Sequence, residues 1–202
     1  MPSRGILLFK PDSVNDTLPH ELCHVLTGKE VCPKGIPSWA GEGYAISFES
    51  PAKRLWRLNF AIKEHHANKD ILFSEILTGE FSKKNDQLKK DQPLIWYGLS
   101  YSLVGFFVEK FGSDEKFIKL VNDIRNFEEF SEKDKKLIPT DKLKIIEKEP
   151  YSKKSRQLIQ ELYIEKVLLP RYLNKTTSFS DIEKEWRQWE IEEVKKLKRK
   201  IN

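Results

Sequence analysis

No stretch of this 202-residue chain offers the roughly 20 consecutive apolar residues that a bilayer-crossing helix needs. The N-terminus also lacks the charged-then-apolar order of a secretory signal. The chain as written is therefore expected to have no membrane span and a cytoplasmic address. Cysteine is scarce. Cys23 and Cys32 are too few for a disulfide framework and lack the CxxC spacing of a thiolate metal site, so two free thiols are the expected state, with a single Cys23–Cys32 bridge the alternative. An excess of one charge is missing too. The 36 Lys and Arg residues face 31 Asp and Glu, a net charge of +5, and the signs alternate along most segments. That pattern suits solvated helix faces and argues against a nucleic-acid groove. The one basic run, Lys195-Lys196-Leu197-Lys198-Arg199-Lys200, reads as cations in the last turn of a helix, facing the negative end of its dipole. Internal repeats are absent.

What is present is helical periodicity, in a length that suits one domain with its own core. The chain is read as a single catalytic domain over residues 1–202, shortened on its N-terminal side because the chemistry begins as early as His20. The run Gly5-Ile6-Leu7-Leu8-Phe9-Lys10, bounded by Pro11, reads as a short β-strand; as a sheet edge it would pair with an extended substrate. Thereafter the expected class is mainly α. Asn15 and Asp16 offer N-caps, Pro19 suits a first turn and Gly28 a stop, which predicts a helix over 16–27. Ser38 caps a second, running to Glu49, and Pro51 opens a third.

Residues 94–111 are apolar almost all round and end at Gly112, as in a central buried helix. Ser113 caps a helix with Phe117, Leu120, Val121 and Ile124 on one face. A capping box at Ser180-Asp181-Ile182-Glu183 opens the last helix, whose stripe of Ile182, Trp186 and Trp189 reads as core. The Lys/Glu-rich stretch 127–156, broken by Pro139 and Pro150, reads as a mobile or loosely packed segment.

The chemistry starts at His20-Glu21-Leu22-Cys23-His24. On a helix, residues four apart share a face one turn apart, so two imidazoles can reach one ion. Glu21 can then address water on that ion as a general base. A catalytic zinc needs a third protein ligand and an open fourth position, and Glu42, in Trp39-Ala40-Gly41-Glu42-Gly43-Tyr44-Ala45, can supply the carboxylate. Gly43 suits a close approach of two helix backbones.

With HExxH followed by Trp-x-x-Glu-Gly, the sequence resembles the gluzincins, a group of zinc metallopeptidases with a zincin-like helical catalytic domain. The 17 residues between His24 and Glu42 are close to the gap in the membrane-alanyl aminopeptidase and leukotriene-hydrolase branch, and Glu49, seven residues after Glu42, also matches. The resemblance implies one Zn2+ held by His20, His24 and Glu42. It also implies Glu21 as the base in peptide-bond hydrolysis and a peptide or protein as substrate. It makes Glu49 the carboxylate that orients a zinc-bound His, and two helical turns would return Glu49 to the face of Glu42.

A weaker likeness covers the helix with Tyr97 and Tyr101. In that branch a Tyr supplements the oxyanion site; register favours Tyr97, with small Ser100 three places on, while Tyr101 is the alternative donor and reads as core. The aminopeptidase Gly-x-Met-Glu-Asn segment is absent, so the resemblance carries no exopeptidase specificity. His65 and His66, being adjacent, point to different sides of a helix and read as surface residues. The competing reading is a catalytically weak or inactive peptidase-fold module that binds a protein partner.

Overall fold

The computed structural model describes residues 14–26, 35–67, 73–78, 92–126, 136–150, 152–175 and 177–201. Every regular element among them is helical; the strand expected at 5–10 lies outside them. Helix α1 spans Val14–Leu26, α2 Ser38–Ile46, α3 Pro51–Ala67 and α4 Phe73–Thr78. Then come α5, Gln92–Phe111, and α6, Asp114–Arg125. Helix α7 is Thr140–Lys148 and α8 Lys153–Tyr163. A π turn over Ile164–Leu168 leads from α8 into α9, Leu169–Leu173, which the left-handed Asn174 ends; α10, Phe179–Ile201, follows.

Helix α5 is the axis of the fold because its sequence leaves no polar stripe. Ile95, Leu99, Leu103, Val104, Phe106 and Phe107 are all buried, and Gly112, at φ 65°, closes it. Helices α2 and α3 pack most extensively on α5. Two glycines permit this closeness. A Cβ on Gly43 of α2 would strike the Ser100 carbonyl, and one on Gly98 of α5 would strike the Arg57 carbonyl and Ala61. Helix α10 lays Ile182 and Trp186 into the same core, while half-buried Trp189 covers Gly105. Trp39, fully buried, donates its indole N–H to the Leu77 carbonyl at 3.1 Å and so anchors the start of α2.

Several boundaries differ from those the sequence suggests. Helix α1 starts at Val14, so Asn15 and Asp16 lie inside it and Pro19 sits beyond the first turn, where it cannot bond the Asn15 carbonyl. Asp16 instead accepts the Ser50 backbone N–H at 2.6 Å, tying α1 to the turn after α2. Pro37, not Ser38, precedes α2, and no side chain caps it. The N–H groups of Ser47, Phe48 and Glu49 bond carbonyls only three residues back, which ends α2 at Ile46.

Ser113 does cap α6, accepting from the Lys116 N–H. The last helix is capped by Ser178, whose hydroxyl oxygen accepts the Asp181 N–H at 3.2 Å, two residues before the box proposed at Ser180. Within 127–156, α7 buries no residue, but Ile138 and Ile146 pack against the Leu162 and Val167 cluster.

Candidate metal centre and its surroundings

Helix α1 presents His20 and His24 on one face, and α2 carries Glu42 opposite them because α1 packs on α2. The two Nε2 atoms are 3.2 Å apart, and Glu42 Oε2 lies 3.5 Å from His20 Nε2 and 3.6 Å from His24 Nε2. Three donor atoms thus form a nearly equilateral triangle. A tetrahedral zinc with bonds of about 2.0–2.1 Å needs donors roughly 3.3 Å apart, so the triangle fits such an ion with shifts of only tenths of an ångström. His20 is nearly buried, but the side chains of His24 and Glu42 are 32% and 27% exposed, which leaves one side of the triangle open to solvent.

Behind the triangle, Glu49 Oε1 is 3.1 Å from His20 Nδ1, close enough for an ion pair although the N–H direction is off line for a straight hydrogen bond. Glu49 gets there from the turn after α2, not from the helical face of Glu42, because α2 has already ended. Its side chain is almost fully buried and is gripped by Arg57, with Nε to Oε2 at 2.8 Å and Nη2 to Oε1 at 2.9 Å. Lys53 Nζ adds a contact at 3.3 Å.

A model of the peptidase MA superfamily matches residues 10–138. The chain belongs to the peptidase MA superfamily. No curated protein and no solved structure matches it. The superfamily is generally metal-dependent, and the matched span contains the donor triangle, Glu21, Glu49, Tyr97 and Tyr101.

The charges around the triangle reinforce one another. Burial pulls the His20 imidazole down, but hydrogen bonding to Glu42 and Glu49 and their charges outweigh it and raise it to about 9. Burial would raise Glu42, yet the two imidazoles hold it down at about 2. Glu49 is likewise held at about 2, with burial overcome by His20, Arg57 and Lys53. The site is thus a network of ionised partners before any metal enters.

Tyr97 and Tyr101 separate clearly. Burial pushes the Tyr97 phenol up, and the carboxylates of Glu42, Glu21 and Glu49 add to this against the opposite pull of Arg57, so the phenol shares the neighbourhood of the triangle and of half-buried Glu21. The Arg57 guanidinium lies over the Tyr97 ring, 4.9 Å from its centroid. Tyr101 is buried, and its hydroxyl donates to Glu193 Oε1 at 2.8 Å, on α10.

Sequence reasoning missed Arg57 and Lys53. A signal was there, since Glu49, Lys53 and Arg57 follow one another at intervals of four, the spacing that stacks side chains along one helical face. It also misplaced His65, which is fully buried against the Trp186 ring, because α10 covers that side of α3.

Proposed function

We propose that this chain is a zinc-dependent peptidase of the gluzincin type, with His20, His24 and Glu42 holding one zinc ion. The donor triangle, with sides of 3.2, 3.5 and 3.6 Å, supports this most strongly. Its open side favours a reactive site over a closed structural one. Zinc held there supplies Lewis-acid activation of water and of a substrate carbonyl.

The remaining steps belong to the chain's own residues. Glu21 takes the proton of the attacking water as the oxygen bonds to the carbonyl carbon, then delivers it to the amide nitrogen as the C–N bond breaks. Glu49 favours the His20 tautomer protonated at Nδ1, which leaves the Nε2 lone pair directed at the metal. Arg57 and Lys53 keep Glu49 ionised and in place. Tyr97 donates a hydrogen bond from its hydroxyl to the oxygen on which negative charge builds, and keeps its proton. The substrate is a peptide or protein.

The deciding experiment pairs zinc analysis with cleavage of a mixed peptide library by the wild type, Glu21→Gln and His24→Ala. The wild type should carry zinc and cleave. Glu21→Gln should keep zinc and lose at least about 100-fold in turnover, and His24→Ala should lose the zinc of this triangle together with the activity. Zinc without cleavage in the wild type would favour the binding-module reading, and a wild type without zinc at this triangle would end the proposal.

A further inference from the structure

A second convergence of ligand-type atoms lies at the other end of α3. His65 Nδ1 and His66 Nε2 both approach one carboxylate oxygen of α10, Glu190 Oε2, at 3.0 and 2.9 Å. Adjacent residues on a helix diverge by about 100°, so both rings turn inward to meet it; the ring planes stand 71° apart with centroids 5.6 Å apart. Glu190 is fully buried, and its other oxygen, Oε1, accepts the Ser102 hydroxyl at 2.9 Å. That hydroxyl oxygen itself accepts the Trp186 indole N–H at 3.1 Å. The Trp186 ring also packs on His65, with centroids 4.3 Å apart. Two of the three groups are therefore fixed by neighbours that lie outside the cluster, as the outer partners of metal ligands are.

We propose that His65 Nδ1, His66 Nε2 and Glu190 Oε2 form a second site, for a divalent first-row transition cation such as zinc, that staples α3 to α10. Two imidazoles and one carboxylate are a donor set that such ions accept, and alkaline-earth ions, which favour oxygen, do not. The two nitrogens lie 3.0 and 2.9 Å from Glu190 Oε2, a few tenths of an ångström inside the roughly 3.3 Å donor spacing around tetrahedral zinc, so each ring needs only a slight shift away from the carboxylate. Binding to neutral imidazoles moves each ring proton to its other nitrogen. For His65 that nitrogen, Nε2, is buried without a partner in either tautomer, so the exchange adds no new unpaired atom.

Entry is open on the His66 side. His66 lines a surface cavity of about 630 Å³ together with Phe73, Phe179, Glu183 and Arg187. The Arg187 cation on that wall is already matched, pairing with Glu183 at 2.6 Å and donating to the His65 carbonyl, while the Lys184 side chain is largely exposed to solvent. The single negative charge of Glu190 then remains to attract the ion.

The test uses the full chain, stripped with a chelator, dialysed against zinc and assayed for bound metal. The wild type should bind two zinc ions, Glu42→Ala one and His66→Gln one, and the double variant none. His66 sits at the exposed rim, so His66→Gln is expected to fold. Cobalt(II) added to Glu42→Ala gives an independent reading, since its visible absorption should appear there and vanish in the double variant. One zinc in the wild type that is lost in Glu42→Ala and kept in His66→Gln would overturn this site and leave the proposed peptidase centre standing. One zinc that is kept in Glu42→Ala and lost in His66→Gln would support this site and remove the other.

Discussion

Arg57 grips Glu49 with two parallel hydrogen bonds, at 2.8 and 2.9 Å, and through Glu49 it reaches the His20 ring 3.1 Å further on. A forked guanidinium on a buried carboxylate is among the stronger polar contacts available to a protein. Glu49→Ala should therefore weaken zinc affinity or activity by about 10- to 100-fold without abolishing either, the usual cost of losing a ligand's outer partner. Arg57→Ala should act in the same direction but less, because Lys53 still faces Glu49. Zinc affinity measured against a competing chelator checks both, and unchanged values would return the Arg57–Glu49 pair to a purely structural role.

That chain of contacts also marks where sequence reading stopped. Histidines four apart on one helix are a local pattern, so the pairing of His20 with His24 could be anticipated from spacing, whereas the approach of Glu42 was implied by the resemblance of the Trp-x-x-Glu-Gly helix to the gluzincins. The apolar stretch of α5 and the Ser113 cap are local in the same sense. Glu49 was anticipated beside a histidine, but through an unbroken helix. Three short-range backbone bonds ended α2 early and brought Glu49 in from a turn instead. Asp16 looked like a cap and is a clamp on Ser50, 34 residues away. His65 and Glu190 are 125 residues apart, and no periodicity links them.

Backbone closeness yields a sharper contrast. Gly98→Ala places a methyl group against the Arg57 carbonyl and Ala61. Helix α3 must then shift against α5, moving Arg57 relative to Tyr97, which stands next to Gly98 on α5. Overpacking of this kind costs about 1–3 kcal/mol, and activity should fall beyond what the stability loss explains. Gly41→Ala is the control, since its methyl would meet only Ile36, at an ordinary 3.5 Å. In a helix interior that change should be neutral or stabilising by up to about 1 kcal/mol. Urea unfolding of both variants checks this; equal stabilities would show that α3 yields freely.

Acidity gives a prediction for the metal-free chain. His20 is raised from about 6.5 to about 9, so its imidazolium adds stability that is full below about pH 6.5 and lost as pH rises through about 9. Glu42 and Glu49, lowered to about 2, add stability that is present above about pH 4.5 and lost as pH falls toward 2. These groups therefore make the metal-free fold most stable between roughly pH 4.5 and 6.5. Zinc requires the neutral ring, so its affinity should climb about tenfold per pH unit toward pH 9, the slope for one displaced proton. Chelator competition across this range reads the slope directly; a flat profile would mean that His20 is already neutral in the metal-free chain.

The two tyrosines of α5 offer the most selective test of the proposed chemistry. They are four residues apart and both buried to some degree, yet their hydroxyls serve different surroundings. Tyr101 is committed to Glu193 on α10, a bond that contributes to packing and leaves no proton for a substrate. Tyr97 sits among Glu21, Glu42 and Glu49 beneath the Arg57 guanidinium. Burial with three nearby carboxylates outweighs the opposite pull of Arg57 and keeps the phenol protonated and able to donate. A donor that strengthens only as the carbonyl oxygen gains charge contributes to the transition state and little to substrate binding. Tyr97→Phe should therefore lower kcat and kcat/KM together by about 100-fold or more, with KM nearly constant. Tyr101→Phe should instead lower the unfolding midpoint, leaving kcat within a few-fold of the wild type, because it removes the hydrogen bond from a buried ring to half-buried Glu193. A larger kcat loss in Tyr101→Phe would reverse the assignment, and wild-type rates in both would take the phenol out of the reaction.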